Sequence, residues 1–140
     1  MADISKAIYT FLAADSNITA QVSTRIYRDR LPQGATMPAI VYTLVSGTVE
    51  HHMENAADLA NDTYQIDVWA SSRSSANSVG ELVRLRLDGY YGAFGSEQVG
   101  SVTLQTTQHI NEEPIDDSDT WLNRYVADYS IWYVSAVPSR

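Results

Sequence analysis

The chain has 140 residues, no cysteine, and seventeen acidic side chains against nine basic ones, for a formal charge of −8. Disulfides and thiolate metal sites are excluded, and an acidic surface with no basic cluster repels a phosphate backbone, so direct nucleic-acid binding is not expected. Hydrophobic residues at 44% and charged ones at 19% describe a globular chain of one domain, without the ~18-residue apolar run of a membrane span or a signal-peptide pattern.

The chain is therefore expected to begin at or near Met1 and to be made in a cytoplasm. Of the lysines and arginines all but Lys6 are arginine, a bias found at protein interfaces and equally given by codon or lineage bias. Ile4, Ala7, Ile8, Phe11 and Leu12 fall at i, i+3, i+4, i+7 and i+8, the apolar stripe of a helix that Asp3 can cap. The helix is expected to end near Asp15, with Ile18 to Val22 as one more helical turn or a pinned loop. Ile26-Tyr27 is a β-prone entry to a polar crossing, Arg28 to Thr36. There Pro32 and Pro38 lack the donor a sheet needs, and Gly34 can take a positive φ. Pro38 pushes Met37 towards an extended conformation and so delivers the chain into Ala39 to Val45, the clearest strand by composition. Ser46 to Asn61 is mixed in character and long for a simple hairpin loop, which marks a binding segment or arm. Thr63 to Ala70 is a strand with Tyr64, Ile66, Val68 and Ala70 on one face and Gln65, Asp67 and Trp69 on the other.

Ser71 to Ser75 offers several caps for a second helix, striped by Ala76, Val79, Leu82, Val83 and Leu87. Gly80 interrupts that stripe at roughly 1 kcal/mol of helix propensity against alanine, a sign of close packing on a sheet. Asp88-Gly89 ends the helix, and Tyr90 to Gly100 reads as a flexible connection. Val102, Leu104 and Thr106 alternate with Thr103, Gln105 and Thr107 in a strand running to Ile110. Glu112 to Thr120 is an acidic loop. In the last strand, Arg124 to Val134, Tyr125, Ala127, Tyr129, Ile131 and Tyr133 face one way, and Val126, Asp128, Ser130, Trp132 and Val134 the other. The series predicts a single α+β domain over residues 1–140, with an extended arm at 46–62 and an acidic loop at 112–120. Its sheet is expected to be mainly antiparallel, or mixed, with four to five strands and two α-helices packed on one face.

Nothing in this order carries recognisable catalytic chemistry. On a strand, His51 and His52 point to opposite faces and cannot both ligate a metal from one side, and the helical HExxH pattern is absent. The run from Glu112 to Asp119 fails calcium-loop spacing, because Trp121 stands where the third oxygen ligand belongs. Its acids are those of a solvated loop, or of a contact with arginines of a neighbouring subunit such as Arg28, Arg30, Arg84 or Arg86. There is no GxSxG elbow and no glycine-rich phosphate loop in a strand–turn–helix setting. Asp67 and Asp128 are expected on solvent- or subunit-facing surfaces rather than as a buried acid pair. No catalytic residue, cofactor or metal site is expected. Trp69 and Trp132 fall opposite the Tyr64–Ile66–Val68 and Tyr129–Ile131–Tyr133 rows, so if helices cover one face the other carries large aromatics, a hint of oligomerisation.

The wording of four stretches points further. RIYRDRLPQGATMPAIVY from Arg25, followed by Ser46-Gly47-Thr48, then Tyr64 to Ala70 with the helix after it, and Asp128 to Tyr133 resemble the tail-completion (tail-terminator) proteins of long-tailed bacteriophages. The resemblance spans nearly the whole chain in order. It implies a structural virion protein, assembled in the bacterial host cytoplasm and found at the tail–neck junction. There it closes as a six-fold ring on the end of the tail tube and joins it to the head-side connector. Its partners would be further copies of itself, the tail-tube protein and the connector or stopper protein, with no membrane and no direct nucleic-acid contact. Candidate contact residues are Arg28, Arg30, Gln33, Glu50, His51, His52, Glu54, Trp69, Glu112, Glu113, Asp116, Asp117, Asp119 and Arg124. Another neck or head-completion protein, or a small ligand-binding α+β domain, are the competing readings.

Overall fold

The computed structural model describes residues 4–50, 58–94, 97–112 and 122–135. In chain order these form α1 (Ile4–Ala13), α2 (Ser16–Val22), β1 (Ile26–Arg28), β2 (Ala39–Glu50), β3 (Asp58–Ala70), α3 (Arg73–Leu87), β4 (Gly92–Phe94), β5 (Glu97–Glu112) and β6 (Leu122–Ser135). One sheet holds the six strands in the order β1-β2-β3-β6-β5-β4. β1 runs parallel to β2 and the other neighbours are antiparallel, so the fold is α+β with a mixed sheet. The expected cap Asp3 and the candidate contact residues His51, His52, Glu54, Glu113, Asp116, Asp117 and Asp119 lie outside the described residues.

The described chain has one more helix and at least one more strand than expected, and both extra pieces are short. α2 forms because Asp15 accepts hydrogen bonds from the Asn17 and Ile18 amides, at 2.8 and 3.3 Å, while Ile18 and Val22 enter the core one turn apart. β4 occupies the stretch expected as a flexible connection. One aromatic anchor outweighs the glycines there: Phe94 is fully buried and stacks on Phe11 with ring centroids 4.2 Å apart. The Tyr90 hydroxyl then donates to the Ala93 carbonyl at 2.7 Å.

The helices cover one face of the sheet. Read across the register, that face carries the rows Ile40–Val68–Tyr125–His109, Tyr42–Ile66–Ala127–Thr107, Leu44–Tyr64–Tyr129–Leu104 and Gly47–Asp62–Ile131–Val102. α3 lies on it through Ala76, Val79, Val83 and Leu87, with Ser72 accepting from the Ser75 amide as its cap. Gly80 sits where a Cβ would stand 2.6 Å from the Tyr125 ring, so its lost helix propensity is the cost of bringing α3 onto β6. Arg86 ties α3 to α1. It donates to the Phe11 carbonyl at 3.2 and 3.0 Å, and its guanidinium lies 3.8 Å from the centre of the Phe11 ring.

The central pair, β3 and β6, runs through thirteen partners without interruption. The strands flanking it do not. β2 carries an extra residue at Val45, and β5 carries extra residues at Gly100 and Gln105. Each is a β-bulge, which bends its strand and reverses which side chains face the core. Residues 46–50 and 58–62 of the expected arm are therefore paired strand, continuous with the sheet as far as Glu50 opposite Leu59.

Candidate assembly surfaces

Among the described residues, no helix lies on the second face of the sheet. Its rows are Ala39–Trp69–Arg124–Ile110, Val41–Asp67–Val126–Gln108, Thr43–Gln65–Asp128–Thr106, Ser46–Thr63–Ser130–Thr103 and Thr48–Asn61–Trp132–Ser101. Polar residues fill the middle and a half-buried tryptophan marks each end. The chemistry of the middle is cross-linked: Asn61 donates to Ser130 Oγ at 2.7 Å, and Thr106 donates to Asp128 at 3.2 Å.

Asp67 corrects one expectation. It is only 5% exposed, because Val41 and Val126 flank it in the register and Arg124 closes over it. Arg124 donates from Nε at 3.0 Å and from Nη2 at 2.6 Å to the same carboxylate oxygen, and Gln65 donates from Nε2 at 3.0 Å to the other. Burial pushes the Asp67 carboxyl above its ordinary value, the hydrogen bonds and charge of Arg124 pull it back, and the nearby Asp128 charge adds to the rise. Asp67 and Asp128 thus do share a site, with Asp67 buried. One oxygen of Asp128 is buried without a hydrogen-bond partner among the described residues.

At the Trp69 end the connection from β1 to β2 folds over this face. Gly34 turns it, with φ at +75°. Leu31, Pro32, Gln33, Gly34, Ala35 and Met37 then form one wall of an apolar groove of about 600 Å³, with Trp69 and Leu122 as the other. The Arg124 guanidinium lies 5.2 Å from the Trp69 ring and stiffens that wall.

The sequence-derived contact residues distribute unevenly over this frame. Gln33 and Trp69 meet in the groove. Arg28 and Arg30 are exposed at its approach, with Arg28 Nε 4.0 Å from Asp29. Arg124 is engaged inside its own subunit by Asp67. Glu50 and Glu112 are the last residues of β2 and β5, and the register sets them opposite Leu59 and Leu122. Two of the arginines offered as partners for the acidic loop are occupied within the subunit: Arg84 is paired with Glu81, and Arg86 with the end of α1. Among the described residues no three His, Asp or Glu side chains are placed to hold a metal, and no helix is long and apolar enough to cross a membrane. Nothing in the sequence marks the groove, since Leu31, Pro32 and Met37 form a wall only once the crossing lies over Trp69.

A helix-backed, bulged sheet of this kind is found in a known protein, and the family match then gives the class. A chain from a structure described as the virion of a native gene transfer agent (GTA) particle has the same fold. It matches with a TM-score of 0.67 and 17% sequence identity over 94% of this chain and 95% of that one. The model of the family described as Tail completion protein gp17 matches residues 6–134, and the chain belongs to that family. It is a structural protein of the tail or neck of a phage-like virion. The comparison with curated proteins returned no match.

Proposed function

We propose that this chain terminates a tail tube as a ring, six-fold to match the tube, and joins that tube to the head-side connector. The observation that carries the reading is the family match across residues 6–134. The role requires a subunit that stays soluble alone, closes through heterologous contacts and offers different surfaces to its two axial partners; it requires no catalysis. A charge of −8 keeps single copies apart, and the bare sheet face and groove supply surface to bury. In this reading Arg28, Arg30, Gln33 and Trp69 form one contact region around the groove. Glu50, His51, His52 and Glu54 of the 46–62 arm form another, and Glu112, Glu113, Asp116, Asp117 and Asp119 a third.

The test is the mass of the purified protein across a concentration series, alone and with its tail-tube protein. A closed ring, free or on tube ends, is expected, and added salt should favour it by screening the charge between copies. A species that stays monomeric and ignores tubes at every concentration and salt level rejects the reading.

A further inference from the structure

The sheet has stepped sides, and the steps are complementary. β1 covers β2 only at residues 40–42, with the Arg25 carbonyl and Asp29 amide adding one bond at each end. From Thr43 to Glu50 no described residue pairs with that side of β2. On the opposite side β4 pairs with Glu97 to Val99. Beyond it the 88–90 segment takes both backbone groups of Val102, and Asp88 accepts from the Leu104 amide at 3.0 Å. From Gln105 to Glu112 no described residue pairs with the outer side of β5.

The two bare edges lie at opposite ends of the sheet. Following the register across, β2 beyond Leu44 is level with the β5 stretch that β4 and its approach cover. β5 beyond Gln105 is level with the β2 stretch that β1 covers. The sheet is therefore five strands wide at either level, β1 to β5 in one and β2 to β4 in the other. Such edges attract strands. Thr43 to Val49 is free of proline and charge, and it exposes Leu44 and Val45 by 48 and 56%.

We propose that neighbouring copies in the ring interlock through these steps, each short edge strand filling the gap beside the other copy's long one. β1 of one copy would lie antiparallel against residues 105–112 of the next, and β4 of that copy parallel against residues 43–50 of the first. The directions follow from the sheet: β1, β2, β6 and β4 run one way, β3 and β5 the other. Direct pairing of the two bare edges is the competing geometry. It requires each copy to slide along the strands by half the sheet, roughly 25 Å for about eight residues, and a repeated slide gives an open spiral. The meshed contact needs no slide, as a closed ring requires. This inference rests on the ring reading above.

The absence of cysteine makes the test direct. Ala93→Cys with Val45→Cys tests the β4–β2 contact, Tyr27→Cys with Thr107→Cys the β1–β5 contact, and Val45→Cys with Thr107→Cys the slid alternative. Each is treated with a short bis-maleimide under conditions that give rings with the parent chain. The first two pairs should give ladders ending at the closed ring, and the third only single copies. Hydrogen exchange of the unmodified protein provides a second readout. On assembly, amides within 43–49 and 105–111 should slow by about tenfold or more, while those of Val102 and Leu104, bonded already, stay as they were. Rings whose edges exchange as fast as in single copies overturn the interlock and leave the ring reading standing. Cross-linking of the third pair into filaments overturns it in favour of the spiral. Failure to form rings under any condition sinks both.

Discussion

The two faces of this sheet are built from the same strands, yet they follow different chemistry. The helix-covered face carries Tyr64, Tyr129 and Tyr133 with Ile66, Ile131 and Val68, nearly all excluded from solvent. The other face buries an aspartate under an arginine and leaves its tryptophans half in water. Apolar packing stabilises whatever geometry fills the space, at about 1.5–3 kcal/mol per buried large side chain. A charged, hydrogen-bonded face adds less net stability, because desolvating the charges offsets most of their attraction. One face holds the subunit together, and the other is the one proposed above for assembly.

The contrast can be broken hardest at the aromatic anchor of the covered side. Phe94→Ala removes a ring packed on Phe11 and near Tyr90, and should lower stability by about 3–4 kcal/mol in denaturant unfolding. Loss of β4 pairing should accompany it, as faster exchange of the Val99 amide region. On the bare face Arg124→Ala leaves Asp67 buried with Gln65 as its remaining side-chain partner, and should cost about 3 kcal/mol. The pair Asp67→Asn with Arg124→Met should recover most of that loss. If the single change is as mild as a surface substitution, the two faces are not distinct in the way described.

Gly80→Ala sharpens the contrast at smaller scale. Alanine gains roughly 1 kcal/mol of helix propensity, but its Cβ meets a buried ring, and overpacking costs about 1–3 kcal/mol. A net loss of about 1 kcal/mol is expected, and a gain would show that Tyr125 moves aside freely. The smallest effect concerns Asp62, the one buried acid on the covered face among the described residues. Tyr133 donates to one of its oxygens at 3.0 Å, and the other has no hydrogen-bond partner among the described residues. Burial raises its pKa above the ordinary carboxylate value, opposed by the Tyr133 bond. A raised folded pKa means that the protonated form favours folding. That contribution is fully present below the ordinary carboxylate range and is lost as pH rises through the folded value. Asp62→Asn should therefore raise the melting temperature at pH 7, and the advantage should shrink as pH falls into the ordinary carboxylate range. An advantage that is constant with pH would place the effect in packing rather than ionisation.

How much of this is legible in the sequence depends on regularity. β3 and β6 keep a period of two throughout, so the faces assigned to Tyr64–Ala70 and Tyr125–Tyr133 match the structure. The same period applied to β5 fails at Gln105, where the bulge turns Thr107 towards the covered face with Leu104. β4 does not show in the sequence because three residues with one large side chain make no pattern. Gly80 does show, because a glycine inside a strong apolar stripe signals a close approach. The Asp67–Arg124 pair and the groove do not, since each joins parts of the chain far apart in sequence. Only the folded crossing shows that Leu31 and Met37 belong beside Trp69.

The bulges also decide where the polypeptide tolerates a change of length. Removing Gln105 alone would leave every later residue of β5 on its present side, because that residue has no opposite number on β6. Removing any one residue from Thr107 to Ile110 would instead exchange the sides of everything beyond it and carry Gln108 or Ile110 into the helices' face. Val45 stands in the same relation to the outer half of β2. Natural variants of this chain that differ by a single codon in these strands are therefore expected at those bulged positions, and a deletion scan should find the same few silent sites.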